Sequence, residues 1–347
     1  MHSHPSPVKI LCALVYFKYQ KFSTYMRLLK ISFTILAFFS LFGGASYASD
    51  YPNKPVTILA PVAAGGGLDL VARTVAERLT KSLGQNFLVD NQSGGGGIIA
   101  SQKAARATPD GYTLMLSYVG THGTNPAVRK IPYDPIKDFS PIAMVGGTPN
   151  VLVVYSPLPI KNFKEFIQYA KDNSAKMSYG SAGPGTLTHL SMEQLKQQAN
   201  FESTHVPYRG IAPAFIDTIA GQTLSMMPGL AAAMPHIKTG KVRPIAVTGL
   251  KRHPLIPDVP TFKELGLEGF EGVQWYGISG PANLPPAIIT LLNSEINKAI
   301  QNPELKERLA GEAIQAMPMT PEQFGQYIKD DIARWSKIAK SRNIQID

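Results

Sequence analysis

The sequence predicts an α/β fold, and three observations carry that prediction. Short β-branched runs alternate with amphipathic helical runs from Lys54 onward. Glycine-rich turns stand where strands give way to helices, and at Val151 the same alternation starts afresh. Such alternation implies a mostly parallel sheet with helices on its faces, with ligands bound beyond the carboxyl ends of the strands. With 347 residues, 44% hydrophobic and 17% charged, the chain can fill a packed core and is long enough for two lobes.

The elements follow in order. Strand-like runs fall at 56–60, 87–89, 112–116 and 142–145. Between the first two, Leu68, Val71, Val75 and Leu79 recur at three- and four-residue spacing, the mark of a helix with one apolar face. The run 151–155 opens the second set, and Asn162 with Glu165 forms a capping box for the helix after it. Then come "KMSYGSAGPGT", a helix over about 187–199, "THVPYRG", a helix reaching Ala220, "TLSMM" and "VRPIAVTG". An apolar run at 273–279 begins the tail. Thr320, Pro321 and Gln323 cap a final helix with the buried stripe Phe324, Ile328, Ile332 and Trp335.

Residues 1–48 are not expected to belong to the folded body. Arg27 and Lys30 lead into an apolar run at 31–42 and then Ser46-Tyr47-Ala48, which reads as a secretory signal cleaved after Ala48, with the expected start at Met26. Twelve apolar residues are too few to span a bilayer, which needs roughly 20. The mature chain is therefore expected to be soluble and periplasmic. Removing Lys9, Lys18, Lys21, Arg27 and Lys30 lowers the formal charge from +10 to +5, a balance that favours small anionic ligands. No basic cluster with interleaved aromatics is present, so nucleic acid is not an expected partner. The single cysteine, Cys12, leaves with the signal, and no thiolate nucleophile or cysteine-ligated metal remains.

The stretch "ILAPVAAGGGLDLVARTVAERL" takes a strand through Gly65-Gly66-Gly67 into a helix, an outline shared by several anion-binding turns. It is not a Walker loop, because Leu68 and Asp69 follow the glycines where Lys and Ser/Thr would be required. A dinucleotide site would use Asp90, but Leu70 occupies the third glycine position. Glycines alone fit a ligand-free turn as well, and Asp69 also suits the helix dipole. "SAGPGT" reads as a second cradle, with Ser181, Gly183, Gly185 and Thr186 at a helix start; the alternative is a capped turn. A nucleophile elbow is missing, since the first glycine of Tyr179-Gly180-Ser181-Ala182-Gly183 is displaced by one position. An exported α/β hydrolase acting on a carboxylate is the competing class. Of the histidines in the mature chain, His122, His189, His205, His236 and His253, no two have metal-ligand spacing, so neither metal nor cofactor is expected. Among them His122 stands in a polar, glycine-flanked loop. Tyr208 and Arg209 could offer a phenol and a guanidinium to an anion, or be surface groups only.

Four stretches together resemble the Bug (TctC-type) extracytoplasmic solute receptors of the tripartite tricarboxylate transporter family. They are "YPNKPVTILAPVAAGGGLDLVAR", "SYGSAGPGTLTHLSMEQLK", "HVPYRGIAPAFIDTIAGQ" and "VRPIAVTGLKRHPLIPDVPTFKELG", in that order. The resemblance implies a two-lobed periplasmic binding fold, type II-like, with a ligand cleft between lobes. Lobe 1 would comprise 49–150 plus 273–347, and lobe 2 would comprise 151–272. It implies a non-enzymatic, monomeric receptor that binds a small organic carboxylate and presents it to membrane transporter subunits or a sensor protein. The implied contacts are Pro61, Ala63, Ala64, Gly65, Gly66, Gly67 and Asp69 in the first turn, then Thr121, His122 and Asn125 after the third strand. The facing lobe would add Ser181, Gly183, Gly185 and Thr186, with Tyr208 and Arg209. Departures from the family pattern at Val62, Gln92, Leu224 and Met227-Pro228 include lost acids, so a ligand with an amino group is not expected.

Overall fold

The computed structural model describes residues 51–65 and 67–346, so the expected signal region at 1–48 and Gly66 lie outside the described residues. Two sheets organise the chain. The first has the strand order β11-β4-β10-β3-β1-β2 and the second β7-β6-β8-β5-β9. The first sheet takes β1 (Val56–Ala60), β2 (Phe87–Asn91), β3 (Thr113–Tyr118), β4 (Phe139–Pro149), β10 (Val273–Pro281) and β11 (Gln315–Ala316). The second takes β5 (Val151–Tyr155), β6 (Ser178–Ser181), β7 (Thr204–Pro207), β8 (Ser225–Met226) and β9 (Val242–Val247).

Mixed sheets replace the mostly parallel ones that the alternation implied. β1 pairs in parallel with β2 and β3, and β6 with β7 and β8. The remaining pairs, β10 with β3 and β4, β11 with β4, and β5 with β8 and β9, are antiparallel. The cause is how the chain passes between sheets. β4 continues through Asn150 directly into β5, so one extended segment serves both sheets. β10 returns from the second sheet and enters between β3 and β4 with no crossover helix, which only an antiparallel strand can do. The run expected to begin a tail is therefore a central strand, with Trp275 and Ile278 fully buried.

Side-chain alternation explains why "VLVV" is apolar throughout. Val151 and Val153 face a core with Phe215, Leu230 and Val242. Leu152 and Val154 face the opposite core, with Phe166, Met192 and Leu195. A strand covered on both faces has no solvent side to mark with polar residues. Asn162 accepts from the Glu165 amide at 2.9 Å, as its spacing predicts, and Thr320 with Gln323 forms the complete capping box at the final helix, Pro321–Ser341. On that helix Phe324, Ile328 and Trp335 are buried. Buried Asp331 interrupts the stripe; it accepts from the Trp275 and Trp335 indoles at 2.8 and 2.9 Å and so ties the helix to β10.

The crossing points between sheets share one buried polar knot. The Asn150 amide donates to Thr248 Oγ1 at 2.9 Å, and its side chain donates to the Met227 carbonyl at 2.9 Å. Thr248 returns a backbone bond to the Asn150 carbonyl at 2.9 Å and its hydroxyl donates to the Gly272 carbonyl. Strand ends from both crossings are thereby held at one place. Among the described residues no helix is long and apolar enough to cross a membrane.

Candidate functional site

The parallel strands point their carboxyl ends at one set of loops in each half. After β1 the chain turns at buried Pro61, and Ala63, Ala64, Gly65 and Gly67 are exposed. Asp69 fastens this turn. Its carboxylate accepts from the Gly65 amide, Arg73 Nε and Asn91 Nδ2, each at 2.9 Å, and Asn91 also donates to the Val62 carbonyl at 3.2 Å. The Arg73 hydrogen bond, against some desolvation, holds the Asp69 carboxyl down at about 2. Both its oxygens are thus engaged within the turn.

The loop after β2 carries four glycines in succession, Gly94 to Gly97, all at positive φ. A Cβ on Gly97 would sit 2.6 Å from Thr121 Cγ2 and 3.1 Å from Pro61 Cβ. Three loops therefore meet at Gly97, and the close approach is possible only because it lacks a side chain. Thr121 Oγ1 caps the Tyr118 carbonyl at 3.1 Å, and Asn125 donates to the Gly96 carbonyl at 2.9 Å. His122 is placed differently from the sequence expectation. It is fully buried, 4.5 Å edge-on from Phe139, and burial pushes its pKa down to about 3. The neutral ring packs between Phe139 and Tyr133, whose centroid is 6.2 Å away.

Across from these loops, β6 ends at Ser181, which has zero exposure. Its Oγ lies 2.6 Å from His205 Nε2 and accepts from the Gly183 amide at 3.1 Å. The Ala182 amide donates to Thr188 Oγ1 at 2.9 Å, and the Gly185 amide donates to His189 Nδ1 at 3.1 Å. Thr186 donates to the Gly183 carbonyl at 2.7 Å. The amides that the sequence offers to an anion here are already spent on shaping the loop. The first turn of the helix Leu187–Ala199, Leu187 to Leu190, is itself buried, and the His189 and Leu190 amides donate to the Thr186 carbonyl at 3.0 and 2.9 Å. A Cβ on Gly185 would lie 2.6 Å from Val128 Cγ2 and 2.4 Å from Ile346 Cδ1, so this loop abuts the loops of the first sheet.

Tyr208 donates to Asp217 at 2.6 Å, and burial with that carboxylate pushes its phenol up to about 12. Arg209 is exposed. Sequence reasoning missed His205, which stacks 4.0 Å from His189 and sets Ser181. Its only signal was its place in the short strand "THVP". It missed Asn91 as a tie of the first turn for the same reason, since a lone polar residue at a strand end has no spacing pattern. A separate groove of about 410 Å³, lined by Pro135, Phe139, Pro321 and Ile328 among others, shares no residue with these loops.

Two sheets, each closing its parallel strand ends on the other's loops, define a two-lobed binding protein. Residues 71–344 match the model for the tripartite tricarboxylate transporter family receptor, and the chain belongs to that family. A curated relative from Pseudomonas sp. (strain P51), the UPF0065 protein in the tcbD-tcbE intergenic region, is 36% identical over 289 residues, 83% of this chain and 86% of that one. Among solved structures, R. palustris Rpa4515 with adipate is 34% identical with TM-score 0.76, covering 85% of this chain and 99% of that one. The periplasmic binding protein BugD is also 34% identical, with TM-score 0.72 and coverages of 85% and 99%. MatC (Rpa3494) from Rhodopseudomonas palustris with bound malate is 32% identical with TM-score 0.72, covering 83% and 99%.

Proposed function

We propose that this chain is a periplasmic receptor that captures a small organic carboxylate between two lobes and presents it to membrane transporter subunits or a sensor protein. In this reading it is exported by a signal cleaved after Ala48, acts as a monomer and needs no cofactor. The lobe boundaries proposed are 49–150 plus 273–347 for lobe 1 and 151–272 for lobe 2. One observation supports the reading above others: the loops after β1, β2 and β3 converge on Gly97 while Gly185 of the other sheet comes up against Val128. Exposed glycine backbone running into the start of the helix Gly67–Leu83 on one side, with the half-buried Thr186 on the other, suits a small anion. The adipate and malate carried by two family members are carboxylates of that size. The proposed contacts are the turn from Pro61 to Gly67, then Thr121 and Asn125, and across the cleft Thr186 and Arg209.

The hydrolase reading draws on the 2.6 Å contact between Ser181 and His205. It is disfavoured because Ser181 is wholly buried and its oxygen already accepts the Gly183 amide, so no substrate carbonyl can reach it. The test is a thermal-shift panel of residues 49–347 against mono-, di- and tricarboxylates, amino acids and nicotinamide compounds, with NMR of the ligand afterwards. A carboxylate at about one hundred times its dissociation constant should add about 2.7 kcal/mol and be recovered unchanged. Consumption of the compound would instead support an enzyme.

A further inference from the structure

Arg129 follows the short helix Asn125–Val128, directly beside the convergence of loops described above. The backbone at this point is fixed, because Arg129 forms a bridge with Ile346 and its amide donates to the Asn125 carbonyl at 3.1 Å. Its side chain is half-buried, and its Nε is fully shielded from solvent without any hydrogen-bond partner. Among the described residues every other shielded arginine Nε of this kind belongs to Arg78, which holds Glu304 at 2.9 Å through its other nitrogens. Arg129 forms no ion pair with a described carboxylate. A guanidinium whose Nε is shut off from solvent with no acceptor, while its terminal nitrogens stay accessible, is suited to receive an anion.

The described neighbours of Arg129 supply no negative charge. One terminal nitrogen, Nη1, lies 4.0 Å from where a Cβ on Gly96 would stand, so the guanidinium borders the glycine run after β2. Asn125, one helical turn earlier, has its amide nitrogen 3.6 Å from the same point. The two phenols beside it, Tyr118 and Tyr133, are neutral at pH 7: burial raises both, while the Arg129 charge pulls the other way. Neither can neutralise the guanidinium. Tyr133 is moreover spent on the Thr121 carbonyl at 2.7 Å.

We propose that Arg129 is a specificity-determining residue that pairs with the second carboxylate of a dicarboxylate. The first carboxylate would lie at the glycine turn after β1, so this inference rests on the receptor reading and deepens it. Arginine suits the task because its planar fork accepts a carboxylate with two parallel hydrogen bonds. A monocarboxylate of the same length would leave the guanidinium unpaired and place a methyl group against it.

Titration calorimetry with succinate, adipate and suberate, each beside butyrate, hexanoate or octanoate, tests the assignment in the wild type, R129Q and R129K. The best dicarboxylate should bind the wild type at least about tenfold tighter than its monocarboxylate partner. R129Q should weaken that dicarboxylate about tenfold or more and leave the monocarboxylate within about twofold, with R129K between the two. An unchanged thermal midpoint for ligand-free R129Q and R129K separates lost pairing from lost folding. Equal loss for both ligand types, or no loss, overturns the role of Arg129. A wild type that binds mono- and dicarboxylates alike also overturns it while leaving the receptor reading intact. A wild type that binds no carboxylate overturns both.

Discussion

Gly97 shows most directly how a single position shapes the cleft. Its φ of +91° is one that side chains rarely adopt, and the added Cβ would press on Thr121 and Pro61. Gly97→Ala therefore combines backbone strain of about 1–2 kcal/mol with overpacking of about 1–3 kcal/mol. Gly240 has φ of +67° with open space around it, so Gly240→Ala should cost only the strain. Urea unfolding should rank the first variant clearly below the second; equal midpoints would mean that the three loops do not press together. At this scale the sequence was only partly informative. The glycine runs stood out because they break helical and strand periodicity alike. The direction in which His122 and Asp69 turn did not, because a residue one position off along a turn faces another way and no pattern records it.

Among the elements, the helix Leu187–Ala199 and strand β7 carry an acid-sensitive contact. His189 and His205 stack at 4.0 Å, and burial is the largest cause that lowers each to about 4; His122 is lowered further, to about 3. Free histidine titrates near 6.5. As pH falls below 6.5 the unfolded chain takes up these protons before the folded one does. The stability attached to the neutral rings is complete above about 6.5 and is lost progressively down to about 4, or about 3 for His122. Asp331 runs the other way, since burial raises it to about 6 and its folded form takes a proton before the unfolded form does. One carboxyl offsets one of three rings, so the net slope remains a loss in acid. Denaturation midpoints at pH 7 and pH 5 check this, with the lower expected at pH 5, and His122→Leu should flatten the dependence. A midpoint that rises on acidification would contradict it. Element types were largely legible: β5 and the capped helices lie where their residues predicted. Strand direction was not, because periodicity reports which faces are buried and says nothing about the end from which a strand enters its sheet.

For the whole molecule, one extended segment through Asn150 and the return into β10 join two sheets that face each other across their loops. Among the described residues the chain passes between the two sheets twice, from β4 to β5 and from β9 to β10, with the knot of Asn150, Thr248 and Gly272 where the passages meet, an arrangement suited to hinge closure. Family membership was legible because four stretches stand in the right order along the chain. The mixed sheets were not, since they depend on contacts between residues more than one hundred positions apart, such as Gly147 with Trp275. The central claim, that a carboxylate is held between these halves, predicts simultaneous protection on both sides. Hydrogen exchange with and without the tightest carboxylate of the binding panel measures that. The loops 61–67 and 181–186 should both slow on saturation. Slowing in one loop alone, or at a site that includes neither, would contradict capture between the two lobes.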